Sequence, residues 1–242
     1  MVSYFRCQMG HKKLIRFAAI KTFSNVLEYP VDMKGKWKDF FKNSNPVTLE
    51  LACGKGEYAI GLGKLYPKRN FIGIDIKGNR IWAGAKKALD LNLLNTAFVR
   101  TQIDKVSDYF DKDEIAEIWI TFPDPQLRFS KIKKRLTHPK FLRFYQQFLQ
   151  PGGTINLKTD SPDLYKFTKT VINLFDLELL LDIESVYAQQ SIAEDLQIKT
   201  HYEALDISQS NRVHYLQFKL NKELPYEKDE ALKQLISEQS ID

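Results

Sequence analysis

From Pro46 onward the chain alternates between short apolar runs and longer stretches whose apolar residues recur every three or four positions. The first pattern suits strands and the second suits helices lying against them. Strands are expected over Val47–Ala52, Phe71–Ile76, Ala97–Thr101, Ile115–Phe122 and Thr154–Lys158, with helices over Glu57–Leu65, Arg80–Asn92, Pro139–Leu149 and Asp163–Phe175. The stretch QPGG, Gln150 to Gly153, reads as a helix stop followed by a turn. Two later runs, Leu177–Tyr187 and His214–Leu220, suit an antiparallel pair at one edge. The alternation predicts an α/β fold, a mostly parallel sheet covered by helices. No internal repeat or low-complexity tract interrupts it.

Composition sets the boundaries. With 242 residues, 43% of them hydrophobic, the chain can bury one full core. That core is expected over residues 46–221, between a basic segment at 1–45 and an acidic tail at 222–242. Residues 1–45 hold nine Lys or Arg against three acids, and the tail from Asn221 holds three cations against six acids. The net charge of +6 is therefore unevenly spread, as expected of a surface that meets phosphates. Cys7 and Cys53 have no metal-ligand spacing and make no disulfide framework, which fits a reducing compartment. The N-terminus is broken by charge too often for a signal peptide, and no run reaches membrane-spanning length. A cytoplasmic protein without a membrane partner is expected. His11, His138, His201 and His214 have no partner at metal-ligand spacing, so no metal is assigned.

The chemistry starts at LELACGKGEYA, Leu49 to Ala59, where an apolar strand ends in a glycine loop and opens into a helix. Doubly wound folds bind nucleotides at that position, and Gly54 and Gly56 let backbone approach a ligand closely. Gly54, Gly56 and Ala59 also meet a relaxed dinucleotide fingerprint, with Asp75 placed to take ribose hydroxyls. Glu50 argues the other way: an acid in the strand before the loop repels a pyrophosphate and suits a ligand carrying ammonium or sulfonium. S-adenosylmethionine carries both. The plain alternative makes Glu50 and Asp75 ordinary strand-end charges, and Cys53 is read as a packing residue.

Farther on, TFPDPQLRFSKIKKRL, Thr121 to Leu136, sets Asp124 between two prolines. Arg128, Lys131, Lys133, Lys134 and Arg135 follow, then Lys140 and Arg143. Pro125 biases Asp124 away from helical geometry at a strand end on the same sheet edge as the glycine loop. Asp beside Pro also makes plain turns, and a charged run is often a solvated loop. Their shared place on that edge favours function for both. The cations Lys12, Lys13, Arg16 and Lys21 read equally as an RNA-gripping arm or a solvated tail, and RFAAI gives that segment an apolar face to dock.

These segments resemble a known family. LELACGKGEY, IGIDIKGNR, FPDP with its basic run, KTD and THYE stand in the order seen in bacterial tRNA (guanine-N7-)-methyltransferases, from about Lys12 to Leu220. The resemblance implies a Rossmann-like class I methyltransferase with a mostly parallel seven-stranded sheet and helices on both faces. It implies S-adenosylmethionine as cofactor and tRNA as substrate, methylated at N7 of a guanine in the variable loop. It places Glu50, Asp75, Gln102 and Asp124 on the cofactor, makes Asp124 the catalytic acid, and sets Arg128, Asp160, Thr200, His201, Tyr202 and Glu203 on the tRNA. Tyr202 would stack on the exposed base or sit in the core. Gln102, Gln126, Ser130 and Lys131 depart from the family's commoner residues, which bears on tRNA contact more than on the reaction. GHKKLIRFA, Gly10 to Ala18, is similar to the family's start, which leaves Met1 and Met9 both open as the initiator. On the residues alone two other functions stay open. A nicotinamide-dependent oxidoreductase is opposed by Glu50, and a non-catalytic RNA-binding protein is opposed by Glu50, Asp75 and Asp124 together.

Overall fold

The computed structural model describes residues 14–201, 203–205 and 212–239. Tyr202 and the cations Lys12 and Lys13 lie outside them. Eight strands form one sheet: β1 (Val26–Glu28), β2 (Val47–Leu51), β3 (Asn70–Asp75), β4 (Thr96–Arg100), β5 (Ile115–Thr121), β6 (Leu149–Thr159), β7 (Leu179–Ile183) and β8 (His214–Lys219). Their order is β1-β4-β3-β2-β5-β6-β8-β7. Neighbours pair in parallel from β1 through β6, and β8 runs antiparallel to both β6 and β7. The helices are α1 (residues 14–20), α2 (Trp37–Phe41), α3 (Glu57–Leu65), α4 (Gly78–Asp90), α5 (Pro139–Tyr145), α6 (Pro162–Leu174) and α7 (Lys228–Gln239).

Strand alternation sorts the side chains between two apolar clusters. Leu49, Ile72, Val99, Ile118 and Ile155 face a cluster closed by α2, α5, α6 and α7. Phe71, Phe98, Trp119 and Tyr215 face a second cluster, closed by α3 and α4. A parallel sheet covered on both faces explains the near-continuous apolar runs that predicted it. Each fully buried Leu or Ile contributes about 1.5–3 kcal/mol relative to exposure, so these two clusters hold the sheet edge in place.

The sheet has eight strands where seven were expected. The added strand, β1, pairs with β4 from Val26 to Glu28. It is three residues long and half-buried throughout, too short to show a period. The segment marked in the sequence by its basic charge thus supplies part of the fold. Trp37 on α2 is fully buried, its Nε1 donating to the Tyr109 carbonyl at 2.9 Å, and Ile20 of α1 is also fully buried. At the other end, Leu232 and Ile236 of α7 are buried in the acidic tail. QPGG lies within β6 rather than before it: the register shifts between Ile115 and Glu117, and Gly152 takes φ of 79°. Four residues of β6, Gln150 to Gly153, stand opposite the single Ala116 of β5, a wide irregularity in which Gly152 supplies the left-handed backbone. Among the described residues no helix is long and apolar enough to cross a membrane.

Candidate active site

Because β2 to β6 run parallel, their carboxyl ends open on one edge. Glu50, Asp75, Gln102, Asp124 and Asp160 all stand at or just past it. The loop leaving β2 departs from ordinary backbone: Ala52, Gly54 and Gly56 have φ of 55°, 58° and 66°. At Gly56 a Cβ would also lie 2.3 Å from the Phe98 ring, so conformation and space both exclude a side chain.

Glu50 is 3% exposed. Its Oε2 accepts the Ala59 N–H at 2.8 Å, in the first turn of α3, and its Oε1 accepts from the Thr121 hydroxyl at 3.2 Å. Burial pushes its pKa up to about 8, outweighing those two hydrogen bonds, which pull it down. Asp75 uses one oxygen to accept the Gly54 N–H at 2.9 Å and the other to accept the Lys77 N–H at 2.7 Å. It thereby fixes the glycine loop and the entry to α4 at once. Asp75 and Gln102 line one cleft of about 340 Å³, shared with Gln126, Lys134 and Phe141. Thr121 and Gln126 belong to this edge, and neither was singled out for the cofactor in the sequence. The signal for Thr121 was a hydroxyl closing an apolar strand.

After β5 the backbone is strained twice, with Phe122 at φ 46° and Gln126 at φ 49°. Each such residue costs about 1–3 kcal/mol and persists only where its surroundings impose it. Asp124 is exposed between them, and its Oδ1 accepts the Gln126 N–H at 3.0 Å. The turn-making reading of Asp124 therefore holds for one oxygen. Oδ2 has no donor among the described residues.

The basic run forms a 3₁₀ turn, Phe129–Lys134, with Arg128, Lys131, Lys133 and Lys134 exposed. Leu127 and Phe129 are exposed among them, at 64% and 45%. Arg135 is the correction to the sequence reading, which grouped it with these cations. It is 5% exposed, its Nε donates to the Pro125 carbonyl at 3.0 Å, and its guanidinium lies 4.6 Å from the centroid of Phe167. It turns inward because the residues after it, Leu136 to Pro139, are buried and carry it toward α6. Arg143 is likewise engaged, paired with Asp229 of α7 at 2.7 Å and 3.8 Å from the Tyr226 ring centroid.

Asp160 is half-buried at the head of α6, just past β6. The THYE segment is a reciprocal cap: Thr200 Oγ1 accepts the Glu203 N–H at 3.1 Å, while Glu203 Oε2 accepts the Thr200 N–H at 3.3 Å. Glu203 Oε2 also meets Lys158 Nζ at 3.2 Å. Lys158, fully buried on β6, donates to the carbonyls of Leu196 and Ile198 at 2.9 and 3.0 Å. Burial lowers its pKa, and Glu203 opposes that shift. Thr200 and Glu203 are thus joined to each other and to the sheet, and His201 stands exposed beside them. The sequence signal for this anchor was a lysine in an otherwise apolar strand.

A parallel sheet, a glycine loop before α3 and a row of carboxylates along one edge make the framework of a class I methyltransferase. Solved structures share it: the chain superposes on the 16S rRNA methyltransferase KamB with a TM-score of 0.59 at 14% identity, covering 80% of this chain and 97% of that one. The 30S ribosomal A1408 methyltransferase from an uncultured bacterium gives a TM-score of 0.56 at 17% identity, covering 78% and 94%. The family model described as "Putative methyltransferase" matches residues 44–216. The tRNA (guanine-N(7)-)-methyltransferase of Bacteroides thetaiotaomicron is 42% identical over 224 residues, 89% of this chain and 88% of the relative. That of Porphyromonas gingivalis is 43% identical over 215 residues, 84% and 87%. The chain belongs to the tRNA (guanine-N7-)-methyltransferase family. That membership displaces the oxidoreductase reading that the glycine spacing also permitted.

Proposed function

We propose that the protein transfers a methyl group from S-adenosylmethionine to N7 of a guanine in tRNA, within the variable loop, and does so in the cytoplasm. The observation that carries the cofactor reading is Glu50, a buried carboxylate whose pKa burial has raised to about 8. A cationic ligand beside it would restore the ionised form, which suits an ammonium or sulfonium group and not a pyrophosphate. Asp75 and Gln102, lining one cleft, fit a ribose diol and the edge of an adenine. Gly54 and Gly56 are buried, Gly54 donating to Asp75 and Gly56 lying against Phe98, so the two glycines serve the close turn that Asp75 holds beside the cleft.

S-adenosylmethionine, when bound, supplies an electrophilic methyl on sulfur; as the N7–carbon bond forms, the sulfur–carbon bond breaks and its electron pair stays on sulfur. Guanine N7 has an in-plane lone pair and no proton, so this chain needs no general base. It must position and stabilise. Asp124 meets both needs: one oxygen is spent on its own turn, and the other is left for the base and for the positive charge that grows on the purine. Arg128, Lys131, Lys133 and Lys134 present exposed cations to RNA phosphates. The exposed ring of Phe129 offers a stacking surface among them. Asp160, Thr200, His201, Tyr202 and Glu203 are assigned to the tRNA, with Thr200 and Glu203 joined to each other and to Lys158 of β6.

The experiment is nucleoside mass spectrometry of unmodified tRNA incubated with the protein and methyl-labelled S-adenosylmethionine. N7-methylguanosine is expected, at a variable-loop position. Label on another atom of guanine, or on another base, contradicts the proposal.

A further inference from the structure

The cation that closes the basic run has neighbours unlike those of the others. Arg135 is 5% exposed, whereas Arg128, Lys131, Lys133 and Lys134 are all open to solvent. Its backbone is anchored on both sides: its N–H donates to the Ile132 carbonyl at 2.9 Å, and its carbonyl accepts the His138 N–H at 2.9 Å. Beyond it, Thr137 and Thr168 hydroxyls meet at 2.7 Å, and the His138 ring stacks on Phe167 with centroids 6.2 Å apart. From that fixed base the side chain reaches back across ten residues. Nε donates to the Pro125 carbonyl at 3.0 Å, and the guanidinium carbon lies over the ring of Phe167 on α6, 4.6 Å from its centroid.

Pro125 directly follows Asp124, in a turn that has left-handed backbone at Phe122 and Gln126. A turn strained at two non-glycine positions holds its shape only if something outside it does the holding. We infer that Arg135 is a positioning residue: by gripping the Pro125 carbonyl and lying over Phe167, it ties the turn that carries Asp124 to α6 and so fixes where the carboxylate stands. A guanidinium suits this role. Its planar fork donates from Nε while its face stacks on the ring, and a lysine cannot do both. The positive charge therefore divides by function, with the exposed lysines meeting phosphate and the buried arginine shaping the acid's turn.

The inference rests on the proposed role of Asp124, so its test includes the unaltered protein. Arg135→Lys keeps the charge and removes the fork. Under single turnover at saturating S-adenosylmethionine and tRNA, it is expected to slow methyl transfer by about 10- to 100-fold, the scale of a small misplacement of a reacting group. Its tRNA dissociation constant and the salt dependence of binding are expected to stay at the wild-type values. Lys133→Gln supplies the reference for a phosphate left without its cation: weaker binding, with a logarithmic salt slope shallower by about 0.7–0.9. Should Arg135→Lys fail to fold, Phe167→Leu removes the ring and leaves the arginine, and the same slower transfer with an unchanged salt slope is expected. Wild-type transfer in the variant overturns the inference, whatever its melting temperature. So does a salt slope that falls as in Lys133→Gln, which returns Arg135 to the phosphate-binding cations. If the unaltered protein itself transfers no methyl, the proposed function fails and takes this inference with it.

Discussion

At the scale of single residues, the site divides into acids that hold backbone and acids that keep an oxygen free. Glu50 has the clearest pH consequence. Its folded pKa of about 8 lies above the ordinary 4.5, so the folded chain binds this proton more tightly than the unfolded one. Its contribution to stability is then full below pH 4.5 and is lost as the pH rises to about 8. Denaturant unfolding without cofactor is expected to show the stability of the wild type falling relative to Glu50→Gln across that window. A constant difference between the two contradicts the burial argument. Glu50→Gln should also weaken S-adenosylmethionine binding by about 1–3 kcal/mol in calorimetry, the cost of losing a charge-assisted partner. The places of Glu50, Asp75 and Asp124 on the sheet edge were legible in the sequence because a strand end, a glycine loop or a proline marks each one locally. Arg135 and Lys158 were not, because what they grip lies far along the chain: Phe167 for the first, and Leu196, Ile198 and Glu203 for the second.

At the scale of elements, β2 to β5, the Thr154–Lys158 part of β6 and the helices between them followed from apolar periodicity, whereas the largely exposed start of β6, Leu149 to Gly153, was read as helix end and turn. The strand β1 did not follow from periodicity, because three half-buried residues carry no period. The helix α2 was hidden for a related reason: five residues are too few for a helical repeat, and its stability comes from Trp37 packing at 5.4 Å on Phe110. Trp37→Ala is accordingly expected to cost about 3–5 kcal/mol in denaturant unfolding, the range for deleting a buried aromatic. A loss below about 1 kcal/mol would make α2 a loose appendage. The 3₁₀ turn Phe129–Lys134 predicts differently. Exchanging Lys131, Lys133 and Lys134 together for Gln should leave unfolding unchanged, weaken tRNA binding, and flatten its salt slope by up to about 0.7–0.9 for each phosphate no longer neutralised. An unchanged slope would make this turn merely a solvated surface.

At the scale of the whole molecule, cofactor, sheet edge and folding are linked, because the site forms only where five parallel strands end together. S-adenosylmethionine at a hundred times its dissociation constant is expected to stabilise the folded chain by about 2.7 kcal/mol, seen as a higher melting temperature. A nicotinamide dinucleotide at the same concentration is expected to leave it unmoved. The α/β class and the carboxyl edge were legible because topology fixes where such sites lie. The docking of the N-terminal segment was legible in part, since RFAAI offered the apolar face whose Ile20 is buried, whereas Trp37, Leu232 and Ile236 were hidden because composition marked their segments by charge. The central claim is that Asp124 acts on the guanine and does not merely turn the chain. Single-turnover formation of N7-methylguanosine in tRNA, at saturating cofactor and tRNA, tests it with Asp124→Ala. The account predicts a folded variant that still binds tRNA and transfers methyl slower by a factor on the order of 100 or more. Transfer at near the wild-type rate would contradict it.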